Sequence, residues 1–260
     1  MTNVLTPEWN KIEWVLTDVD DTLTWRGKLP AETLLALNSL QQQGIKVVAV
    51  TGACAGWCDH IAQLWPVDAV LGENGAFCLE KSEPGITLSS SVDIDTMRRQ
   101  QAHLKQQIEQ ILHDYREINL TLDQAYRLCE VAIDIGQNRS PVDSQTVQQI
   151  VARIHAMGAH ATASSIHINA WYGDHSKRNS AFAYLRQQGL SDSEIISKCC
   201  YVGDSLNDQQ MFETLPMSVG VKNIEHYWQQ LNHKPNLVMS QPGGFGFAEF
   251  THALLALKQS

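Results

Sequence analysis

Short apolar runs alternate with helical patterns along the first part of the chain. Apolar runs at 14–16, 45–50 and 69–71 each stop at polar residues, as buried strands do. Between the first two runs, Pro30 begins a segment with apolar residues every three or four positions, and Gly44 ends it. This alternation of strand and helix predicts a parallel sheet with helices on both faces.

The middle of the chain has a different pattern, and the first pattern returns after it. Residues 81–85 predict a hairpin turn and an exit from the first domain. The elements predicted beyond that turn are a Gln-rich helix at 94–117, strands at 118–122, 128–135 and 165–171, and a helix from Ser140 and Pro141 to Gly158. The elements predicted after them are helices at 176–189 and 247–257, a capping box at 191–194, and strands at 200–202, 217–221 and 236–239. We therefore predict an α/β core formed by residues 1–84 and 173–260, with an α/β domain inserted at 85–172.

Length and composition are those of an ordinary globular protein. The 260 residues suit two domains, and 43% hydrophobic with 18% charged residues indicates an ample core. A net charge of −9 disfavours nucleic acids and anionic membranes as partners. The start of the chain and the lack of long apolar runs predict neither a signal peptide nor a membrane span. Six scattered cysteines without a CxxC pair predict free thiols in a reducing cytoplasm.

Three carboxylates follow the first predicted strand, at Asp18, Asp20 and Asp21. Two charges about 4 Å apart repel by roughly 4 kcal/mol at an effective dielectric of about 20, so the group needs a cation or a shared proton. A calcium loop of the helix-loop-helix type would require glycine and glutamate where the chain has Leu23 and Leu29. Taken alone, the stretch is either an acidic turn or a carboxylate nucleophile with an acid/base partner and a metal.

Polar residues also follow other predicted strands. Parallel sheets bind ligands at the carboxyl ends of their strands, so Asp18, Thr51 and Asn74 are expected to converge. Thr51 and Gly52 offer a hydroxyl and unhindered N–H groups to a phosphoryl oxygen, although such a pair is often only a turn. Residues 203–208 add oxygen ligands after another buried strand, which makes a functional site the favoured interpretation.

Four segments, in this order, resemble the haloacid-dehalogenase superfamily, and within it the Cof-type hydrolases, which include the sucrose-phosphate phosphatases. The segments are Asp-Val-Asp-Asp-Thr at 18–22, Thr51, Lys177 in the first turn of a helix, and Gly-Asp-Ser-Leu-Asn-Asp at 203–208. Residues 73–76 and 218–223 are similar to further segments of that group. The resemblance implies a Rossmann-like parallel-sheet core with an inserted, open-faced α/β cap. An acid two residues after the nucleophile implies a phosphatase or phosphomutase rather than a dehalogenase.

The resemblance also implies a role for each matching residue. Asp18 would attack phosphorus, and Asp20 would protonate the leaving oxygen and then activate water on the aspartyl-phosphate. Thr51, Gly52 and Lys177 would hold the phosphoryl oxygens. The residues expected around Mg²⁺ are Asp18, Asp20 through its backbone carbonyl, Asp204 and Asp208, supported by Asn207 and Asn74.

The expected function is therefore a cytoplasmic, Mg²⁺-dependent phosphatase that acts on a small phosphorylated metabolite such as a sugar phosphate. A sugar phosphomutase is the alternative, and a non-catalytic binding or regulatory protein is disfavoured because the implied catalytic residues are all present. One departure concerns the residues after Thr-Gly, where Cof-type sequences commonly have arginine and this chain has Ala53 and Cys54. A possible anion contact is missing there.

The predicted strand at 165–171 alternates apolar side chains with polar and aromatic ones. The apolar set at 166, 168 and 170 should pack on the helices of the inserted domain. By resemblance, the opposite face lies over the active site, where an imidazole, an amide and an indole would suit a polyol. A surface position for the imidazole and a hinge position for the indole are the simpler alternatives. The residues predicted on that face are His167, Asn169 and Trp171, with Glu130 from a neighbouring strand.

Overall fold

A computed structural model describes residues 5–83, 85–164 and 166–259. It contains a large, mainly parallel sheet and a small antiparallel one, which confirms the predicted α/β class. Three predictions fall partly outside the described residues. They concern residues 1–4, where no signal peptide is predicted, Pro84 in the predicted turn and Ser165 in the predicted strand. No helix in the described part of the chain is both long enough and apolar enough to cross a membrane.

The secondary structure follows the predicted order. The strands are β1 (Trp14–Thr17), β2 (Lys46–Val50), β3 (Ala69–Gly72), β4 (Phe77–Ser82), β5 (Gly85–Ser89), β6 (Val131–Asp134), β7 (His160–Ala163), β8 (His167–Trp171), β9 (Cys199–Gly203), β10 (Ser218–Gly220) and β11 (Leu237–Val238). The helices are α1 (Ala31–Gln42), α2 (Ala55–Leu64), α3 (Ile94–Leu112), α4 (Ser144–Ala156), α5 (Lys177–Gln187), α6 (Asp192–Lys198), α7 (Gln209–Thr214) and α8 (Gly243–Lys258).

The large sheet has the order β11-β10-β9-β1-β2-β3-β4-β5. Its strands from β11 to β3 are parallel to one another, β4 is antiparallel to β3, and β5 is antiparallel to β4. Strand β1 lies in the middle, with Val15 in the apolar cluster on one face and Leu16 in the cluster on the other. Helices α1 and α8 cover the first face and α5 covers the second. The carboxyl ends of β1, β2, β3 and β9 therefore meet at one edge.

The small sheet has the order β6-β8-β7, with β8 in the centre. Ile168 and Ala170 of β8 belong to a cluster of buried apolar residues contributed largely by α3 and α4, which include Leu104, Ile108, Ile150 and Ile154. This packing confirms the prediction for the apolar face of the strand at these two positions. The polar face of β8 is turned towards the large sheet, because Asn169 contacts the residue after Thr51.

Two predicted elements differ from the observed ones, and one observed strand has no predicted counterpart. The segment 118–122 forms only a single bridge between Leu120 and Ile133, because a 3-10 helix begins at Leu122, whose side chain is solvent-exposed. Helix α4 begins at Ser144 rather than at Pro141, since the carboxylate of Asp143 accepts the backbone N–H of Thr146. Strand β7, with alternating small residues, was not predicted.

The predicted start of the insertion, at residue 85, differs from the observed sheet pairing. Strand β5 pairs along its whole length with β4, so residues 85–89 belong to the large sheet rather than to the inserted one. The small sheet and its two helices lie between Ile94 and Trp171. The division into core and cap stays a prediction, with the start of the cap moved past Ser89. We call residues 94–172 the cap below.

Candidate active site

The acidic loop after β1 turns tightly at the edge of the large sheet. The carbonyl of Val19 accepts the N–H groups of residues 22, 23 and 24, and the backbone of Asp21 is left-handed, with φ 55°. Asp18 is buried at the end of the strand. Asp20 faces open space in front of it, and partial desolvation together with the nearby Asp21 raises the pKa of Asp20.

Lys177, the first residue of α5, lies inside this acidic group rather than on the surface. Its Nζ is 3.0 Å from an oxygen of Asp18 and 2.8 Å from an oxygen of Asp208. Ser176 caps the helix by accepting the N–H of Asn179, which fixes the start of α5. Burial lowers the pKa of Lys177, but the two carboxylates outweigh it and raise the pKa above its usual value. The side chain is therefore a fixed ammonium ion.

The loop after β9 supplies two more buried carboxylates with different surroundings. Asp208 accepts hydrogen bonds from Lys177, from Tyr201 and from the N–H groups of residues 204 and 205. These four bonds occupy the oxygens of Asp208 and fold the loop around it. Asp204 accepts bonds from Thr22 at 3.2 Å and Asn223 at 2.8 Å. Each oxygen of Asp204 therefore keeps a free lone pair that could bind a cation.

The arrangement fits a divalent cation. Carboxylate oxygens of Asp18, Asp204 and Asp208 lie within 4.8 Å of one another, and all three residues are buried. Burial, opposed by Lys177, raises the pKa of Asp18 to about 7, and burial together with the other carboxylates raises the pKa of Asp204 well above its usual range. One ammonium ion does not neutralise this group, so a bound dication would relieve the repulsion that raises these pKa values.

The loop after β2 faces the acidic group from the neighbouring strand. The hydroxyl of Thr51 accepts the N–H of Ala53 at 3.0 Å, and the carbonyl of Thr51 accepts the N–H of Asn74 at 2.9 Å. A Cβ atom on Gly52 would lie 2.7 Å from the amide of Asn169 and 3.2 Å from that of Asn74. Glycine is therefore required at this position by the close approach of two side chains.

Residues of the cap are bonded directly to this loop and to the turn after β3. The carbonyl of Gly52 accepts Nη1 of Arg127 at 2.9 Å and Nδ2 of Asn169 at 3.2 Å. The side-chain amide of Asn74 donates to Glu130 at 2.7 Å. The carboxylate of Glu73 accepts the N–H groups of residues 128, 129 and 130 at 2.8, 2.7 and 2.7 Å. The cap is thus closed over the edge of the sheet.

A cavity of about 220 Å³ lies between the acidic loop and the cap. Its wall includes Asp18 and Asp20 on one side and polar cap residues on the other, with an apolar side formed by Trp57, Ile61 and Trp65. His167 lies in this wall 2.7 Å from the side chain of Gln137, and burial, then the nearby Arg127, lowers the pKa of His167 to about 4. Its imidazole is therefore neutral. The polar cap residues of the wall are Asp123, Arg127, Gln137, Ser164, His167 and Asn169.

Seven of the predicted residues line this cavity, among them Asp18, Asp20, Gly52 and Asp204. Thr51, Asn74, Lys177 and Asp208 are buried without lining it, and Trp171 and Glu130 lie elsewhere. His167 and Asn169 line the cavity, as does Asn207. The indole of Trp171 lies between the rings of two histidines outside it, with centroid distances of 5.9 Å to His160 and 5.4 Å to His175. Glu130 is fully buried in the contact with Asn74 and does not line the cavity.

Four residues of the site were not predicted from the sequence. Arg127 carries no motif, and nothing in its neighbourhood distinguishes it from a surface arginine. Glu73 and Asn223 belong to segments that resemble the family, yet no role was assigned to either side chain. Tyr201 resembles any buried residue of a strand. Their contacts all depend on which loops meet at the sheet edge.

The chain is similar to known hydrolases in sequence and in fold. Residues 15–120 match the family of haloacid dehalogenase-like hydrolases. The chain is 27% identical over 218 residues to a phosphoglycolate phosphatase of Methanoculleus marisnigri, covering 82% of this chain and 85% of the relative. The family match and this relative support a phosphatase enzyme.

Solved structures of the same fold superpose on nearly the whole chain. A Thermoplasma acidophilum protein superposes with a TM-score of 0.71 at 16% identity, over 94% of this chain and 98% of the other. The sucrose-phosphatase of Synechocystis sp. PCC6803, in complex with sucrose and phosphate, superposes with a TM-score of 0.65 at 13% identity, over 93% and 97%. The fold predicted from the four sequence segments is thereby confirmed.

Proposed function

We propose that the protein is a Mg²⁺-dependent phosphatase that hydrolyses a small phosphorylated metabolite, with a sugar phosphate as the substrate class, through an aspartyl-phosphate on Asp18. The observation that carries the proposal is the buried contact of Lys177 with Asp18, 3.0 Å long, and Asp18 also lines the cavity. A nucleophilic carboxylate beside a fixed cation is the arrangement that phosphoryl transfer requires. A location in the cytoplasm stays a prediction.

The bound cation would be held by Asp18, the Asp20 carbonyl and Asp204, and it would neutralise charge on the phosphoryl group. Asp208 supports this site through Lys177 and the backbone of residues 204 and 205, because its oxygens are already occupied. This role differs from the direct metal ligand implied by the family resemblance. Asn74 supports the site through Glu130 and Thr51.

The reaction then needs two displacements at phosphorus. A carboxylate oxygen of Asp18 forms a bond to phosphorus while the bond to the leaving oxygen breaks, and Asp20 gives that oxygen its proton. Asp20, now ionised, takes a proton from water as the water oxygen attacks phosphorus and releases Asp18. Lys177, the Thr51 hydroxyl and the backbone of Gly52 hold the phosphoryl oxygens. The raised pKa of Asp20 favours its protonated form at the first step.

The size and lining of the cavity limit which group of the substrate can carry the phosphate. A volume of about 220 Å³ admits only a small molecule. The neutral imidazole of His167 and the amides of Asn169 and Gln137 can exchange hydrogen bonds with hydroxyl groups without placing a net charge on the substrate. These groups favour a sugar or polyol phosphate, the chemical class of the sucrose-phosphatase neighbour.

The test is a phosphate-release screen with purified protein and Mg²⁺, over sugar phosphates, polyol phosphates, phosphoglycolate and nucleotides. The proposal expects release of inorganic phosphate with a clear preference for one sugar or polyol phosphate. Formation of an isomeric sugar phosphate without free phosphate would indicate the phosphomutase instead. No turnover of any phosphate ester would contradict both.

Asp20→Asn should slow both chemical steps by about 10²–10⁴-fold, the usual contribution of general acid/base catalysis. The side chain faces the cavity without a partner that the fold requires, so the variant should fold and keep its affinity for Mg²⁺. The loss should be smallest for nitrophenyl phosphate, whose leaving group needs no proton. Turnover of nitrophenyl and alkyl phosphates is the comparison to measure. Equal losses for both esters would rule out the acid role.

The apparent affinity for Mg²⁺ should fall as the pH is lowered. The pKa of Asp18 in the metal-free protein is raised to about 7, so protons compete with the metal below that pH, and binding should weaken by about tenfold from pH 8 to pH 6. Calorimetric titration with Mg²⁺ at the two pH values, in buffers of different ionisation enthalpy, measures the affinity and the protons released. Affinity that is independent of pH would contradict the assignment of Asp18 as a ligand.

A further inference from the structure

The backbone carbonyl of Gly52 connects the core and the cap through hydrogen bonds. It belongs to the loop that follows β2, yet both of its side-chain donors, Arg127 and Asn169, come from the cap. The donor distances are 2.9 Å and 3.2 Å. The cap therefore contacts the loop proposed to hold phosphate through its backbone.

The same peptide group connects these donors to Thr51. The carbonyl of Gly52 and the N–H of Ala53 are the two ends of one peptide unit, and that N–H donates to the Thr51 hydroxyl oxygen at 3.0 Å. A peptide whose carbonyl accepts a charged donor becomes a stronger donor at its N–H. Because the oxygen of Thr51 is held as an acceptor, its hydroxyl proton is directed away from Ala53. No protein acceptor takes that proton among the described residues.

Neighbouring carboxylates fix Arg127 in this position. Its side chain has no exposed surface, and its guanidinium is bonded to Asp123 at 3.1 Å and to Glu130 at 3.3 Å. The carboxylate of Glu73 holds the backbone immediately after it, at residues 128–130. The guanidinium is thus oriented from both sides onto the Gly52 carbonyl.

We propose that Arg127 is a positioning residue which, from the closed cap, orients the Gly52–Ala53 peptide and through it the Thr51 hydroxyl for a phosphoryl oxygen. The chain has Ala53 where an arginine directly after Thr-Gly could have contacted the anion itself. Here the guanidinium comes from the cap and acts through the backbone, so phosphate binding depends on cap closure. This inference rests on the proposed function, because it assigns phosphate to the Thr51 loop.

The test is a double-mutant cycle between Arg127→Met and Thr51→Val, read by binding of inorganic phosphate in the presence of Mg²⁺. Calorimetry measures this binding without turnover. In the wild-type background, Arg127→Met should weaken phosphate binding by about tenfold, the cost of losing a hydrogen bond to a charged donor. In the Thr51→Val background the same substitution should change binding by less than about twofold, because the hydroxyl it orients is absent.

Two further variants keep the test decisive if Arg127→Met fails to fold with Asp123 and Glu130 unpaired. Asn169→Ala removes the other donor to the Gly52 carbonyl without exposing a buried charge, and it should weaken phosphate binding in the same Thr51-dependent way. Arg153→Met is the matched control, since Arg153 is an exposed cap arginine paired with Asp114, and it should leave phosphate binding unchanged.

The outcomes separate the inference from the function on which it rests. Equal effects of Asn169→Ala or Arg127→Met in the two Thr51 backgrounds, or no effect in either, would overturn the positioning role while phosphate release by the wild type stands. Absence of phosphate release by the wild type would contradict the proposed function, and the binding cycle would still decide whether Arg127 acts through Thr51.

Discussion

Asp18→Asn is expected to abolish phosphate release, with a loss on the order of 10⁴–10⁶-fold, as found when a catalytic nucleophile is removed. Asparagine is nearly isosteric with aspartate but cannot form the acyl phosphate. Among the described residues, no other carboxylate lies as close to both Lys177 and the proposed metal site with free acceptor capacity, because the oxygens of Asp208 are occupied by four hydrogen bonds. The measurement is phosphate release with the best substrate of the screen.

Asp21→Asn is the matched control for this variant. Asp21 lies in the same loop, but its side chain accepts the N–H of Arg26 outside the cavity, and asparagine tolerates its left-handed backbone. This control should keep activity within about threefold of the wild type, since surface substitutions away from a site have small effects. Near wild-type turnover by Asp18→Asn, with its fold confirmed by circular dichroism, would refute the nucleophile assignment.

Lys177→Met should lose both activity and stability. The substitution leaves the buried carboxylates of Asp18 and Asp208 without their shared cation, and breaking a buried ion pair in this way costs about 3–5 kcal/mol. Loss of a fixed charge on the phosphoryl group should also lower kcat by about 10²–10³-fold. Denaturant unfolding and phosphate release measure the two effects.

Mg²⁺ and a surface lysine provide the comparisons for Lys177→Met. A dication beside Asp18 should restore part of the lost stability, so the deficit in unfolding free energy should be larger with chelator than with Mg²⁺. Lys46→Met removes a lysine that is 55% exposed and paired with Asp68, and it should cost no more than about 1 kcal/mol. The same deficit for Lys46→Met and Lys177→Met would show that burial of the ammonium ion contributes nothing.

The position of the candidate active site could be predicted from the sequence because it depends on one general property of parallel sheets. Once 14–16, 45–50 and 69–71 are taken as parallel strands, their carboxyl ends must lie together, and the residues there are Asp18, Thr51 and Asn74. Lys177 could be included only through the family resemblance. Its first-turn position on a helix gives no sign that its side chain points inwards.

The contacts between cap and core could not be predicted in the same way. Arg127, the C-cap residue, ends a 3-10 segment whose residues show no period, and its partner Gly52 is 75 positions away in the chain. The neighbouring N–H of Leu128 donates to Glu73, which is 55 positions away. Such contacts depend on how the small sheet and its loops pack against the edge of the large sheet. Element boundaries were missed for a local reason, as at Asp143, where one capping carboxylate outweighed the Ser140-Pro141 signal.

The central position of β8 has a consequence for how such an enzyme can diversify. Its even-numbered residues, Ile168 and Ala170, are committed to the apolar interior of the cap, whereas His167 and Asn169 project towards the catalytic edge. The two sets share one backbone but face opposite sides of the sheet, so substitutions at His167 and Asn169 leave the apolar packing of Ile168 and Ala170 in place. An insertion of one residue would exchange the sets and destroy both at once. Substitution, and not insertion, is therefore the route by which this strand can acquire new chemistry.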